Sequence, residues 1–295
     1  MSRDKSERLT EQPVHETEIA KLESWIGNEH LDEDVLTLSP ARGMSAVLDR
    51  PPEALYPTCP LPHAWHWLYF KPIIRRSALG ADGHEKRGSF LPPIQLPFRM
   101  WAGGRLRFLG TLSLGDAVQR RSTIASVRSR KGRSGPLVFV TVRHEIANEK
   151  GVAIEEEQDL VYRDISQSSG VPTNPPPEPV EWSETFMADP VTLFRFSALT
   201  FNSHRIHYDH PYVTEAEGYP DLVVHGPLIA LLLLDAGSRW FDDSPHSFSY
   251  RAIGPLFSGE EFTISGRTTE KDEAEVWAAH PKRGLAMQAT LRSSP

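Results

Sequence analysis

The sequence predicts an α+β protein made of two copies of one unit, an apolar helix laid against an antiparallel sheet. Three observations carry this. Each half reads as helix, loop, apolar helix and then four strand-like segments separated by turns. Gly110-x-Leu112-x-x-Gly115-Asp116 matches Gly254-x-Leu256-x-x-Gly259-Glu260, and Pro62 and Pro227 each stand at the head of an apolar run. A serine- and proline-rich stretch, 166–180, with Pro172, Pro175, Pro176, Pro177 and Pro179, lies between the halves and reads as a linker. The expected organisation is an N-terminal half over 1–165, the linker, and a C-terminal half over 181–295.

Taken in order, residues 1 to about 15 are polar and read as frayed. Thr17–Ile26 has apolar Ile19, Leu22 and Ile26 at helical spacing before Gly27. Residues 28–60 read as loop and turns. Leu61–Phe70 is dense in aromatics and reads as a buried helix or an aromatic ligand box. The long loop 71–98 carries Lys71, Arg75, Arg76, His84, Lys86 and Arg87, and reads as a solvated loop or an anion site. Strands are expected at Arg105–Leu114, Ala117–Arg128, Leu137–Val142 and Val152–Val161, in meander order. In the second half, Asp189-Pro190 predicts an N-cap and first turn for a helix reaching Leu199. A second helix is expected over Pro227–Trp240. Strands follow at His246–Ile253, Glu261–Thr269, Glu273–His280 and Gly284–Arg292.

Composition narrows the function. A formal charge of −7 argues against nucleic acid, whose phosphates need a basic surface. The longest aliphatic run, Leu228–Leu234, is far too short to span a bilayer, so no membrane partner is expected. The charged start, Met1–Glu18, has no apolar core of a secretory signal, and the single Cys59 permits no intrachain disulfide. A cytoplasmic protein is expected.

Chemistry concentrates in Phe196–Asp209, where Asn202, His204, His207 and Asp209 follow an apolar approach. Imidazole titrates near neutrality and can take a proton from water and later return it. An amide such as Asn202 can hold that water. Further on, Val223-Val224-His225-Gly226-Pro227-Leu228 opens the most apolar helix. The first N–H groups of a helix lack intrahelical partners, and Gly226 has no side chain to block a ligand, so a carbonyl oxygen bound there would have its negative charge stabilised. Base plus oxyanion donor serves proton transfer α to a carbonyl, or addition of water to an α,β-unsaturated acyl thioester. Singly, His207 also reads as a structural histidine and Gly226-Pro227 as a plain helix start. His204, His207 and Asp209 lack the helical i, i+4 pair of a metal site, and no metal is expected.

These motifs resemble the R-specific enoyl-CoA hydratases and MaoC-like dehydratases, which carry Gly-Asp-x-Asn-Pro-aliphatic-His followed by aliphatic-x-His-Gly-x-Leu. His207 falls on the family's catalytic histidine and Gly226 on its oxyanion donor. Asn202 stands where the family has a catalytic aspartate, so the two-residue acid–base mechanism does not carry over intact. The chain is similar over about residues 50–293 to the double hot-dog 3-hydroxyacyl-thioester dehydratases, a branch that includes mesaconyl-C4-CoA hydratases. The likeness lies in Ser197–Asp209, His84-Glu85-Lys86-Arg87-Gly88, Met100–Leu106 and Gly135–Val140.

The resemblance implies a double hot-dog fold and a hydro-lyase that adds water to a 2-enoyl-CoA without a bound cofactor. His207 would be the base, Asn202 the water holder and Gly226 the oxyanion donor. Arg205, His225, Arg105, Trp101, Lys86 and Arg87 are the candidate substrate-binding residues, and a homodimer of such chains is the implied assembly. An acyl-CoA thioesterase, a 3-hydroxyacyl-ACP dehydratase and a non-catalytic acyl-thioester-binding subunit remain as alternatives.

Overall fold

The structure, a computed structural model, describes residues 21–132, 135–164, 174–241 and 244–294. Most of the expected linker, the frayed start and the first part of the Thr17–Ile26 helix lie outside them. Of the last, only the short helical stretch 21–23 is seen, followed by turn to Gly27.

Among the described residues, ten antiparallel strands form one continuous sheet. They are β1 (Glu29–Val35), β2 (Phe98–Phe108), β3 (Ala117–Gly132), β4 (Gly135–Asn148), β5 (Gly151–Arg163), β6 (Trp182–Met187), β7 (Ser247–Ala252), β8 (Glu261–Glu270), β9 (Glu273–His280) and β10 (Gly284–Arg292). Their spatial order is β1-β3-β4-β5-β2-β7-β10-β9-β8-β6. That order is the same read from either end if each strand is exchanged for the one five later, as repeated halves require. It corrects the meander: in each half the leading strand of the four returns beside the last, β2 on β5 and β7 on β10.

The halves join where β2 pairs with β7, in register from Gly103↔Arg251 to Arg107↔Ser247. Gly103 and Gly104 make this junction feasible. A Cβ on Gly104 would lie 2.5 Å from the Tyr250 hydroxyl and 2.7 Å from the Glu157 carbonyl. The glycines therefore sit inside β2, which begins at Phe98 rather than at the predicted Arg105.

Four α-helices lying wholly within the described residues accompany the sheet: α1 (Leu38–Val47), α2 (Pro190–Thr200), α3 (His210–Glu215) and α4 (Gly226–Phe241). Apolar Leu228–Leu234 is buried throughout, as expected of a helix apolar on all sides, and α4 packs on β7 to β10. The expected helix over Leu61–Phe70 is instead a single 3-10 turn, Trp65–Leu68. Ala64 (φ 63°) and Phe70 (φ 52°) are both left-handed, which breaks any helix at those points. Among the described residues the first half thus has no helix to match α4.

Elements unforeseen in the sequence have visible causes. β1 is a charged edge strand held to β3 by ion pairs, Asp32–Arg120 (2.7 Å) and Glu29–Arg121 (3.2 Å). In α1, Pro40 occupies the first turn, where its missing N–H costs nothing. Its Gly43 lets α2 approach, since a Cβ there would lie 2.6 Å from a Leu199 methyl. No described helix is long and apolar enough to cross a membrane.

Candidate active site

α2 begins as its sequence demands: Asp189 caps it by accepting the Thr192 N–H (2.7 Å), and Pro190 fills the first turn. It ends when Phe201 turns left-handed (φ 54°). That reversal delivers Asn202, His204, Ile206 and His207 onto a cavity of about 570 Å³ between the halves. The C-terminal half supplies Asn202, His204, Ile206, His207, Val223, Val224, Gly226 and Pro227. The N-terminal half supplies Trp67, Tyr69, Phe70, His84, Arg99, Trp101, Arg120 and Arg163.

His207 is buried, 7% exposed, and its Nδ1–H donates to the Val223 carbonyl (2.7 Å). A carbonyl only accepts, so the bond fixes the tautomer and leaves Nε2 as the unprotonated nitrogen of a ring that lines the cavity. Burial pushes the His207 pKa down to about 4. The Asn202 carbonyl accepts the His204 N–H (3.0 Å). This settles the amide's orientation and frees its NH₂ for a ligand. Gly226 heads the sixteen-residue α4 on the same cavity, so the positive end of the helix dipole faces the space beside His207.

A second layer of contacts holds the loop. The His225 ring stacks on His207 with centroids 3.6 Å apart and planes 17° from parallel, and its Nε2 lies 2.8 Å from Ser197 Oγ. Burial drives the His225 pKa well down. From the first half, the 71–98 loop brings Asp82-Gly83-His84 against the histidines. The Ser203 hydroxyl donates to the Gly83 carbonyl (2.6 Å), the Arg205 N–H to that of Asp82 (2.9 Å), and the His84 and His204 rings lie 4.0 Å apart.

Of the residues the sequence put forward for catalysis or substrate binding, His207, Asn202, Gly226 and Trp101 line the cavity, and so does their loop neighbour His204. The other five do not. His225 is fully buried behind His207. Arg205 pairs with Asp209 (2.7 Å), donates to the Ala81 carbonyl and covers the Tyr212 ring. Arg105 lies outside, paired with Glu157 and Asp159 (both 2.8 Å). Lys86 donates to the Ser77 carbonyl (2.9 Å). Arg87 ties down its own loop through the Ile94, Leu96 and Pro97 carbonyls. Asp209 caps α3. These cations are absorbed by local structure, which sequence position does not reveal.

The cavity's own cations, Arg99, Arg120 and Arg163, escaped notice because they sit in or beside strands. So did the convergence of Asp82, His84 and His204, whose ligand-type atoms lie within 4.8 Å of one another. That cluster suits a metal poorly. Asp82 already accepts the His84 N–H (3.0 Å) and Nδ1–H (2.9 Å), and the Arg99 guanidinium bears on both imidazoles, helping burial hold His204 down at about 2.

A base, an oriented amide and a helix N-terminus on one acyl-sized cavity, within a ten-stranded sheet of two repeats, define a double hot-dog hydro-lyase. The chain belongs to the hydroxyacyl-thioester dehydratase type 2 family, whose profile matches residues 64–258. It is 43% identical over 275 residues to the mesaconyl-C(4)-CoA hydratase of Chloroflexus aurantiacus, spanning 91% of this chain and 96% of that protein. Among solved structures it is similar to HtdX of Mycobacterium tuberculosis (TM-score 0.63, 17% identity, 90% of this chain and 100% of that one). It is also similar to Rv0216 of the same organism, described as a double hotdog fold (TM-score 0.53, 12% identity, 90% and 96% covered).

Proposed function

We propose that this hydro-lyase hydrates the branched dicarboxylic thioester mesaconyl-C4-CoA to citramalyl-CoA, with no cofactor. The observation that carries the mechanism is the His207 Nδ1–H bond to Val223, which presents Nε2 as a base beside Asn202 and Gly226. The substrate is suggested by the 43% identical hydratase. Asn202 donates an N–H to the water oxygen, and His207 Nε2 takes one water proton as the oxygen bonds to C3 of the enoyl group. The π electrons move onto the thioester oxygen, where the Gly226 N–H and the α4 dipole stabilise the enolate. Its collapse returns the proton from His207 to C2. Dehydration follows the same steps in reverse.

The buried single Cys59 suits the reducing compartment proposed for the chain. A second copy is the proposed partner, because Val191, Phe194 and Ile73 expose apolar side chains. Sedimentation at micromolar concentration tests that, and a monomer refutes it.

A panel of enoyl-CoAs followed at the enoyl absorbance tests the activity. Wild type consumes mesaconyl-C4-CoA, and His207→Ala is slower by about 10²–10⁴-fold. Thiol release without loss of the enoyl band would overturn hydration in favour of hydrolysis.

A further inference from the structure

We infer that Arg99 binds the substrate's free carboxylate and makes the site selective for half-thioesters of dicarboxylic acids. The inference rests on the hydration reading and names the group that would select its substrate.

In a thioester such as mesaconyl-C4-CoA, the free carboxylate is borne by the same carbon that receives the hydroxyl. Its cation must therefore stand next to the water-activating group, not at the outer surface where Arg105 lies. Three arginines line the cavity. Arg120 is held by Asp32 (2.7 Å) and lies over the Phe70 ring, 4.9 Å from its centroid. Arg163 donates to the Tyr219 hydroxyl (3.2 Å), lies over Phe98 and acts on the carboxylate of Glu217. Arg99 has no carboxylate within ion-pair distance among the described residues, and Asp82, the acid beside the histidines, is hydrogen-bonded to His84.

Its position follows from its neighbours. Arg99 pairs across the sheet with Tyr162, at the end of β2 over which the 71–98 loop folds. Its charge is felt at both His84 and His204. The His84 and His204 rings lie 4.0 Å apart, His204 lies edge-on to His207 at 5.5 Å, and Arg99 lines the same cavity as all three. Glu217 is a carboxylate on that wall, its pKa raised by burial, but it accepts from the Tyr212 hydroxyl (3.2 Å), and the guanidinium that acts on it is that of Arg163. It makes no ion pair with Arg99. A guanidinium left unmatched in a partly dry cavity is an anion site, and charge-assisted pairing there discriminates by about 10–100-fold.

Succinyl-CoA and butyryl-CoA differ by a carboxylate against a methyl at that carbon, and neither can be hydrated. Calorimetric titration of wild type, Arg99→Gln and Arg99→Lys with both ligands reads the subsite without turnover. Wild type is expected to bind succinyl-CoA about 10–100-fold more tightly. Arg99→Gln should bring the ratio close to one, and Arg99→Lys should restore part of it. Equal binding by wild type, or an unchanged ratio in Arg99→Gln, overturns the inference. A wild type that binds selectively yet hydrates no enoyl-CoA would instead sink the hydration reading and leave the subsite standing.

Discussion

The imidazole of His207 lies flat on that of His225, 3.6 Å between centroids, with both rings buried. Two stacked cations would repel, so the pair is stable with both rings neutral, and His225 acts as the surface that fixes the angle of His207. Replacing His225 with Ala removes that surface while leaving the Val223 bond. The expected result is a fall in kcat of about 10–100-fold with KM nearly unchanged, the mark of a misplaced base. A loss confined to KM would assign His225 to substrate binding.

Acidity should act on activity and stability in the same direction. Burial lowers the His207 pKa to about 4, so the neutral base persists well below the usual histidine range. The kcat/KM profile should stay flat below pH 6 and drop only as pH 4 is approached. An acid limb near 6.5 would contradict this.

Stability has its own sign. His144 and His207 are held down at about 4 and His204 at about 2, against 6.5 in an unfolded chain. Between these values the unfolded state binds more protons, so stability falls as pH falls, by up to about 1.4 kcal/mol per unit for each group. Urea midpoints measured from pH 7.5 to 5 should decline. A constant or rising midpoint would refute the assignment.

Gly83 is the pin between the two halves' loops. It has φ +90°, and a Cβ there would lie 1.9 Å from the Ser203 carbonyl oxygen. Gly83→Ala must push the 71–98 loop away from Ser203 to His207. Activity should fall by about 100-fold or more while far-UV circular dichroism is retained. Wild-type turnover in this variant would show that the contact is dispensable.

Asn202 can be separated into its acceptor and its donor. Asn202→Asp keeps an oxygen for the His204 N–H but, when ionised, offers no donor to water. If the NH₂ positions the water, Asn202→Asp and Asn202→Ala should both lose about 10–100-fold in kcat at pH 8. Full activity in the aspartate variant would show instead that a carboxylate shares the proton transfer.

Much of this was legible in the chain itself. The spacing around Asn202, His204 and His207, with Gly226 ahead of an apolar run, marks the loop and the helix start because capping and periodicity are local properties. The last four strands appear within about a residue of their predicted bounds for the same reason. β1 and α1 were not legible: the first looks like a charged loop until Arg120 and Arg121 face it, and the second is masked by Pro40 and Gly43, whose roles depend on α2.

The sequence by itself determined the α+β class, the repeat, and the loop and helix start that carry Asn202, His207 and Gly226. Tertiary structure alone decided which cations are free. Arg205, Arg105, Lys86 and Arg87 look available in a string of letters, but each is taken by a carboxylate, carbonyl or ring that folding brings beside it. Arg99, inside a strand and unremarkable in sequence, has no ion-pair partner among the described residues, because its cross-strand neighbour is Tyr162 and the nearby Asp82 is hydrogen-bonded to His84. Ion pairing depends on distance through space, and the chain does not encode that distance in its order.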